Sequence, residues 1–253
     1  MYRFLCFCLA AGIAAVSGGA LESRVVGGDF AKQSKFAFVA SLRTNSNKFL
    51  CAGAIVDKYW ILTAAECVQK QSTNNLTVVV GTPDLNSGGV NHQVSLIRIH
   101  PNYIPKTKEN NIALVQLSSK IAENKNVEKI HMAKTVISDD KDVEVAGWGA
   151  TQKDSPQNFT NSLHWVELKT YSFTNCKKRL PQIYYYNICT KAKANKGVCK
   201  GDVGSPLFRR GGIFSSNELH GIVSQYANCA NGLPDVYVSV AAFKLWIDQE
   251  IGK

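Results

Sequence analysis

Histidine is scarce in this chain, five among 253 residues. His92, His100, His131, His164 and His220 are scattered, and no two stand at a spacing that would bring imidazoles onto one metal ion, so neither a metal nor a cofactor is expected. Carboxylates are also in deficit, 19 against 29 lysines and arginines, which leaves a formal charge of +10. That balance favours acidic partners, such as sulfated glycans or acidic protein faces, with no nucleic acid expected among them. There is no internal repeat of roughly 20–50 residues and no low-complexity tract, which argues against repeat arrays. Beyond the N-terminus no apolar run approaches the length a bilayer-spanning helix needs.

What is present begins with an export signal. Arg3 is followed by an apolar run from Phe4 to Val16 and by small residues at Gly18 and Ala20. This reads as a signal peptide over residues 1–20, with a short propeptide over 21–24 and a secreted mature chain. Cys6 and Cys8 leave with the leader. Cys51, Cys67, Cys176, Cys189, Cys199 and Cys229 remain, an even set that in an exported chain implies disulfides rather than metal ligands or redox chemistry. Their number alone leaves the pairing open. Asn75-Leu76-Thr77 and Asn158-Phe159-Thr160 are N-glycosylation sequons.

The chain is 45% hydrophobic, enough for one large all-β unit or two small ones. Short apolar or alternating runs, bounded by Gly, Pro, Asn, Asp and Ser, predict strands at 36–43, 76–81, 92–100, 112–117, 143–147, 163–168, 219–224 and 236–240. The spacing argues for a barrel or sandwich. From Ala241 to Ile251, Phe243, Trp246, Ile247 and Ile251 recur near helical spacing and predict a docked C-terminal helix. The polar stretch Ala133 to Lys141 is the candidate linker between halves.

Four segments carry a specific resemblance. They are Arg24-Val25-Val26-Gly27-Gly28; Cys51-Ala52-Gly53-Ala54 with Trp60-Ile61-Leu62-Thr63-Ala64-Ala65-Glu66-Cys67; Asn110-Asn111-Ile112-Ala113-Leu114-Val115; and Cys199-Lys200-Gly201-Asp202-Val203-Gly204-Ser205-Pro206. With Ala146-Gly147-Trp148-Gly149 and the Trp246-Ile247 ending, the chain resembles the chymotrypsin/trypsin family from Val25 onward. The resemblance implies an all-β fold of two six-stranded antiparallel β-barrels with a C-terminal α-helix. The barrels would span about 25–135 and 140–240, and the helix about 241–251. It also implies disulfides Cys51–Cys67, Cys176–Cys189 and Cys199–Cys229, and an activation pair between the new amino group of Val25 and the Asp202 carboxylate.

Acyl transfer in that family needs a hydroxyl nucleophile, an imidazole to take and return its proton, and a carboxylate to orient the imidazole. By the motifs, these positions hold Val203, Glu66 and Asn111. Valine has no lone pair and no proton to lose, and loss of the serine or histidine alone costs on the order of a millionfold in subtilisin. The chain is therefore expected not to be an enzyme. Gly201 retains the backbone position of the oxyanion hole. Gln225 and Tyr226 stand where the family reads Trp-Gly, so the tyrosine is expected to obstruct the substrate cleft. Gly197 replaces the pocket acid of trypsin-like enzymes, and Asp235 falls on the opposite pocket wall. That aspartate reads either as a carboxylate still attracting a basic side chain or as a turn residue filling a disused pocket.

The motif order resembles that of the dust-mite group 3 trypsin-like allergens and, with the triad replaced, that of the inactivated serine-protease paralogues of the scabies mite. That resemblance implies a secreted pseudoprotease that binds host plasma proteins and inhibits complement. Two alternatives remain. One is a basic heparin- or glycan-binding homologue of the azurocidin type, using clusters such as Lys177-Lys178-Arg179 and Arg209-Arg210. The other is an atypical hydrolase with Ser205 as a relocated nucleophile.

Overall fold

A computed structural model describes residues 27–150, 159–191, 196–212, 215–225, 229 and 231–252. The expected leader and propeptide, Val25, Asn158 and Tyr226 lie outside them.

Strand β1 (Asp29–Phe30) leads into the first barrel, formed by β2 (Val39–Thr44), β3 (Phe49–Asp57), β4 (Trp60–Thr63), β5 (Leu76–Val80), β6 (Val90–Ile99) and β7 (Ala113–Leu117). A short helix α1 (Ala65–Val68) follows β4. After β8 (His131–Met132), the second barrel takes β9 (Asp142–Gly147), β10 (His164–Tyr171), β11 (Asn187–Thr190), β12 (Pro206–Arg209), β13 (Glu218–Gln225) and β14 (Asp235–Ser239). Helix α2 (Phe173–Arg179) sits between β10 and β11, and α3 (Lys244–Ile251) ends the chain.

The first barrel closes in the order β2-β3-β4-β7-β6-β5, and the second in the order β9-β10-β11-β14-β13-β12, with β9 pairing both β10 and β12. Each half thus threads its six strands alike, and every pairing around both barrels is antiparallel. The expected fold is the one observed. β1 and β8 are additions on the outside of the second barrel, pairing β10 and β13.

Side-chain alternation explains why some strands are plain in the sequence. In β10, His164, Val166, Leu168 and Thr170 point inward, while Glu167 is exposed. Strands β3, β4, β11 and β12 alternate little, because nearly all their residues are buried, and periodicity does not reveal such strands. One expected boundary moves: the run from Phe36 becomes a strand only at Val39, since Gln33–Phe36 form a 3-10 turn.

Val143, Val145, Val166, Leu207, Val223 and Tyr237 fill the second barrel. A larger core fills the first barrel and continues across the seam, where Phe38 meets Phe208 edge-on at 4.9 Å. The 3-10 turn Ala241–Phe243 and α3 seal that seam with buried Phe243 and Ile247, and α3 stops at Gly252, whose positive φ of 75° forms the left-handed cap. The disulfides are Cys51–Cys67, Cys176–Cys189 and Cys199–Cys229, with Cα separations of 5.9, 6.4 and 4.4 Å. These are the pairs that the resemblance implied. Asn75 is exposed at the end of the turn Thr73–Asn75, a position open to a glycan.

Candidate functional site

β4 turns directly into α1, which brings Glu66 to the first barrel's rim beside the Cys51–Cys67 bridge. Asn111 lies just before β7, the strand that pairs with β4 through Thr63 and Ala113. The pairing makes residues 66 and 111 neighbours. The Glu66 N–H donates to Asn111 Oδ1 at 3.0 Å, and Asn111 Nδ2 donates to Glu66 Oε1 at 2.8 Å. The same amide donates to Ser224 Oγ at 3.1 Å on β13, tying the first barrel to the second. Asn111 is fully buried. In a working triad the imidazole donates to the carboxylate. Here the direction between the two positions is reversed, with the Asn111 amide donating to Glu66.

The other carboxylate oxygen, Glu66 Oε2, lies 2.7 Å from Lys108 Nζ. Burial would lower the pKa of this ammonium, but the hydrogen bond and charge of Glu66 prevail and hold it above the ordinary lysine value. Lys108 and Asn110 both adopt left-handed backbone conformations, φ 60° and 52°, in the loop that presents the lysine. Both oxygens of Glu66 are therefore engaged. Lys108 lies in no motif and reaches Glu66 from 42 residues away, while Ser224 stands in the string Ser224-Gln225-Tyr226, which resembles the family's Ser-Trp-Gly but gave no sign of its bond to Asn111, 113 residues away.

Val203 stands on the loop before β12, half-buried against the inter-barrel core. Its carbonyl oxygen lies 3.7 Å from Cys67 Sγ, a disulfide sulfur with no proton to donate, so this is a contact that sets Val203 beside the residue after Glu66. Gly204 makes the approach possible. It has φ +87°, and a Cβ there would come 2.6 Å from the Thr63 hydroxyl. Gly201, at φ +96°, lies against the Phe159 ring, where a Cβ would come within 2.7 Å. The structure thus brings positions 66, 111 and 203 together. Ser205 does not join them. It is fully buried, and a Cβ on Gly147 would come 2.5 Å from its hydroxyl oxygen.

Asp202 is also fully buried, accepting from the N–H groups of Gly149 and Cys199, each at 2.9 Å. The Gly147-Trp148-Gly149 motif has its physical reason here, since a methyl group on either glycine would collide with this carboxylate. Burial pushes Asp202 up to about 7 against the opposing effect of the two hydrogen bonds. Its implied partner, Val25, is outside the described residues.

Gly197 is buried, and the residue after it, Val198, donates its N–H to Asp235 Oδ2 at 3.0 Å. Asp235 opens β14 and is not a turn residue. Burial pushes it to about 7, with a further rise from the Asp202 charge. Its carboxyl group thus accepts from the backbone beside Gly197. Gln225 ends β13, half-buried, and Tyr226 beyond it is not described. Among the described residues no cluster of His, Cys, Asp and Glu could hold a metal ion.

Comparison with known proteins agrees with this geometry. The family described as Trypsin matches residues 25–247. Trypsin delta of Drosophila erecta is 33% identical over 235 residues, covering 90% of this chain and 88% of the relative. Trypsin alpha-4 of Lucilia cuprina is 34% identical over 232 residues, covering 90% and 87%. Among solved structures, neuropsin, a serine protease expressed in the limbic system of mouse brain, superposes with a TM-score of 0.80 at 26% identity, covering 88% of this chain and 98% of its own.

Proposed function

The chain belongs to the trypsin family, and from that membership we propose that it is a secreted member that no longer hydrolyses peptides and acts by binding. The observation that carries this reading is the reversed Glu66–Asn111 pair, with Val203 against the neighbouring Cys67. Glu66 has one oxygen on Lys108 and the other on Asn111, so it is poorly placed to act as a base. Val203 offers no nucleophile. Burial of Ser205 speaks against a relocated one. Secretion is supported by the leader and the three disulfides.

The resemblance to the inactivated mite paralogues suggests the partner class. The protein binds host plasma proteins and inhibits complement. The test is the protein purified from Val25 onward, assayed for release from Lys- and Arg-containing chromogenic peptides and for complement-mediated haemolysis. Expected are no release above buffer and dose-dependent inhibition near about micromolar concentration. Turnover that follows the protein through purification would overturn the non-catalytic reading. Unimpeded haemolysis would overturn the complement reading.

A further inference from the structure

The segments 102–110 and 181–186 line two grooves, the first of which adjoins the degenerate triad through Lys108 and Gln225. One, about 450 Å³, runs between Lys106, Lys108 and Lys177 over an apolar wall of Pro181, Ile183 and Tyr184, with Gln225 at its edge. The other, about 380 Å³, lies between Tyr185 and α3, beside Leu245 and Trp246. The Asn110 N–H donates to the Tyr186 hydroxyl at 2.8 Å, which pins the two segments together.

The sequence Tyr184-Tyr185-Tyr186 divides the seam. The first and third rings stack at 5.5 Å, 5° from parallel, while the middle one is 86% exposed. Leu245 is 73% exposed, and these two are the most exposed large apolar side chains among the described residues. Single exposed apolar residues are ordinary. Two facing one groove, next to a lysine-lined one, form an amphipathic surface of the kind that anchors protein partners. No carboxylate lines either groove among the described residues, and Glu66 behind Lys108 is already held on both oxygens. Lys177 is preset, its ammonium donating to the Ile183 carbonyl at 2.6 Å.

We propose that this seam docks an acidic, extended segment of a partner protein, its carboxylates on Lys106 and Lys177 and an aromatic or aliphatic side chain against Tyr185 and Leu245. The proposal deepens the binding reading above and rests on it only in that the segment leaves uncleaved. A polypeptide fits better than a sulfated glycan, because sulfates would use the lysines and leave the apolar half of the seam exposed to water.

The test is fluorescence anisotropy with a labelled peptide of glutamate and aspartate around one central phenylalanine, its amide analogue of glutamine and asparagine, and a heparin hexasaccharide. The acidic peptide binds at low salt and the amide analogue does not. Replacing both lysines, Lys106→Ala with Lys177→Ala, weakens binding about tenfold, and Tyr185→Ala by a similar factor. Removing the same charge elsewhere, Lys125→Ala with Lys129→Ala, changes affinity by less than about twofold. Thermal melts of all variants confirm folding. Equal loss in the control pair, or hexasaccharide binding through the same lysines where the peptide fails, overturns the proposal. Mass analysis of the bound peptide separates the two readings. An intact peptide agrees with both, a bound but cleaved one supports docking and overturns loss of catalysis, and absent peptide binding with complement inhibition retained overturns docking alone.

Discussion

At the scale of residues, Asn111 determines the character of the site. It is buried and satisfies the Glu66 backbone, the Glu66 carboxylate and the Ser224 hydroxyl at once. Asn111→Ala leaves these groups without their partner and should cost about 3 kcal/mol in urea unfolding. Asn111→Asp is more telling. It sets a second carboxylate against Glu66, raising the pKa of the pair in the folded state, so stability is lost as pH rises through that raised value and recovers on acidification. Urea midpoints at pH 4.5 and 8, taken as about those values, should diverge from wild type only at the higher pH. Val203→Ser alone should yield no turnover of Lys or Arg ester substrates, since the new hydroxyl finds no imidazole and loss of that group costs on the order of a millionfold. The replacements at 66, 111 and 203 were legible in the motifs because they sit inside otherwise intact strings. The Lys108–Glu66 pair was not, since only the fold carries a loop lysine across to α1.

At the scale of elements, the loop from Gly197 to Ser205 and the start of β14 hold two buried carboxylates. Asp202 and Asp235 are both pushed to about 7 by burial. Each is protonated in the folded chain at pH values where the unfolded chain has already ionised. Their contribution to stability is therefore full below about pH 4 and is lost as pH rises through about 7. Asp235→Asn keeps an acceptor for the Val198 N–H and removes one titration, so the fall in melting temperature between about pH 5 and 8 should shrink. In a chain cut after Arg24, the Val25 ammonium that the resemblance pairs with Asp202 would hold that carboxylate ionised and remove its share of the fall. Differential scanning calorimetry before and after limited trypsin cleavage measures this. Burial alone did not decide which strands were legible. β10 was readable by its alternating faces, and β5, β7, β9 and β14, buried nearly throughout, as short apolar runs between turn residues, whereas β3 and β4 lay inside motif strings and the four-residue β11 and β12 were too short to stand out.

At the scale of the molecule, two alike-threaded barrels, three disulfides and a helix across the seam form an intact family scaffold around an altered centre. The fold was legible because its motifs bracket nearly every strand. The two grooves were not, since Lys106 and Lys177 are far apart in sequence and line one groove only where the 102–110 loop faces α2 and the segment after it. An excess of positive charge was visible in composition, but composition does not say where it gathers. The proposed loss of catalysis rests on the absence of an activated nucleophile. Its most direct test is intact-mass spectrometry of the protein, cut to begin at Val25, after incubation with a serine-directed fluorophosphonate. An unchanged mass is expected; a stoichiometric adduct on Ser205 or any other serine would contradict it.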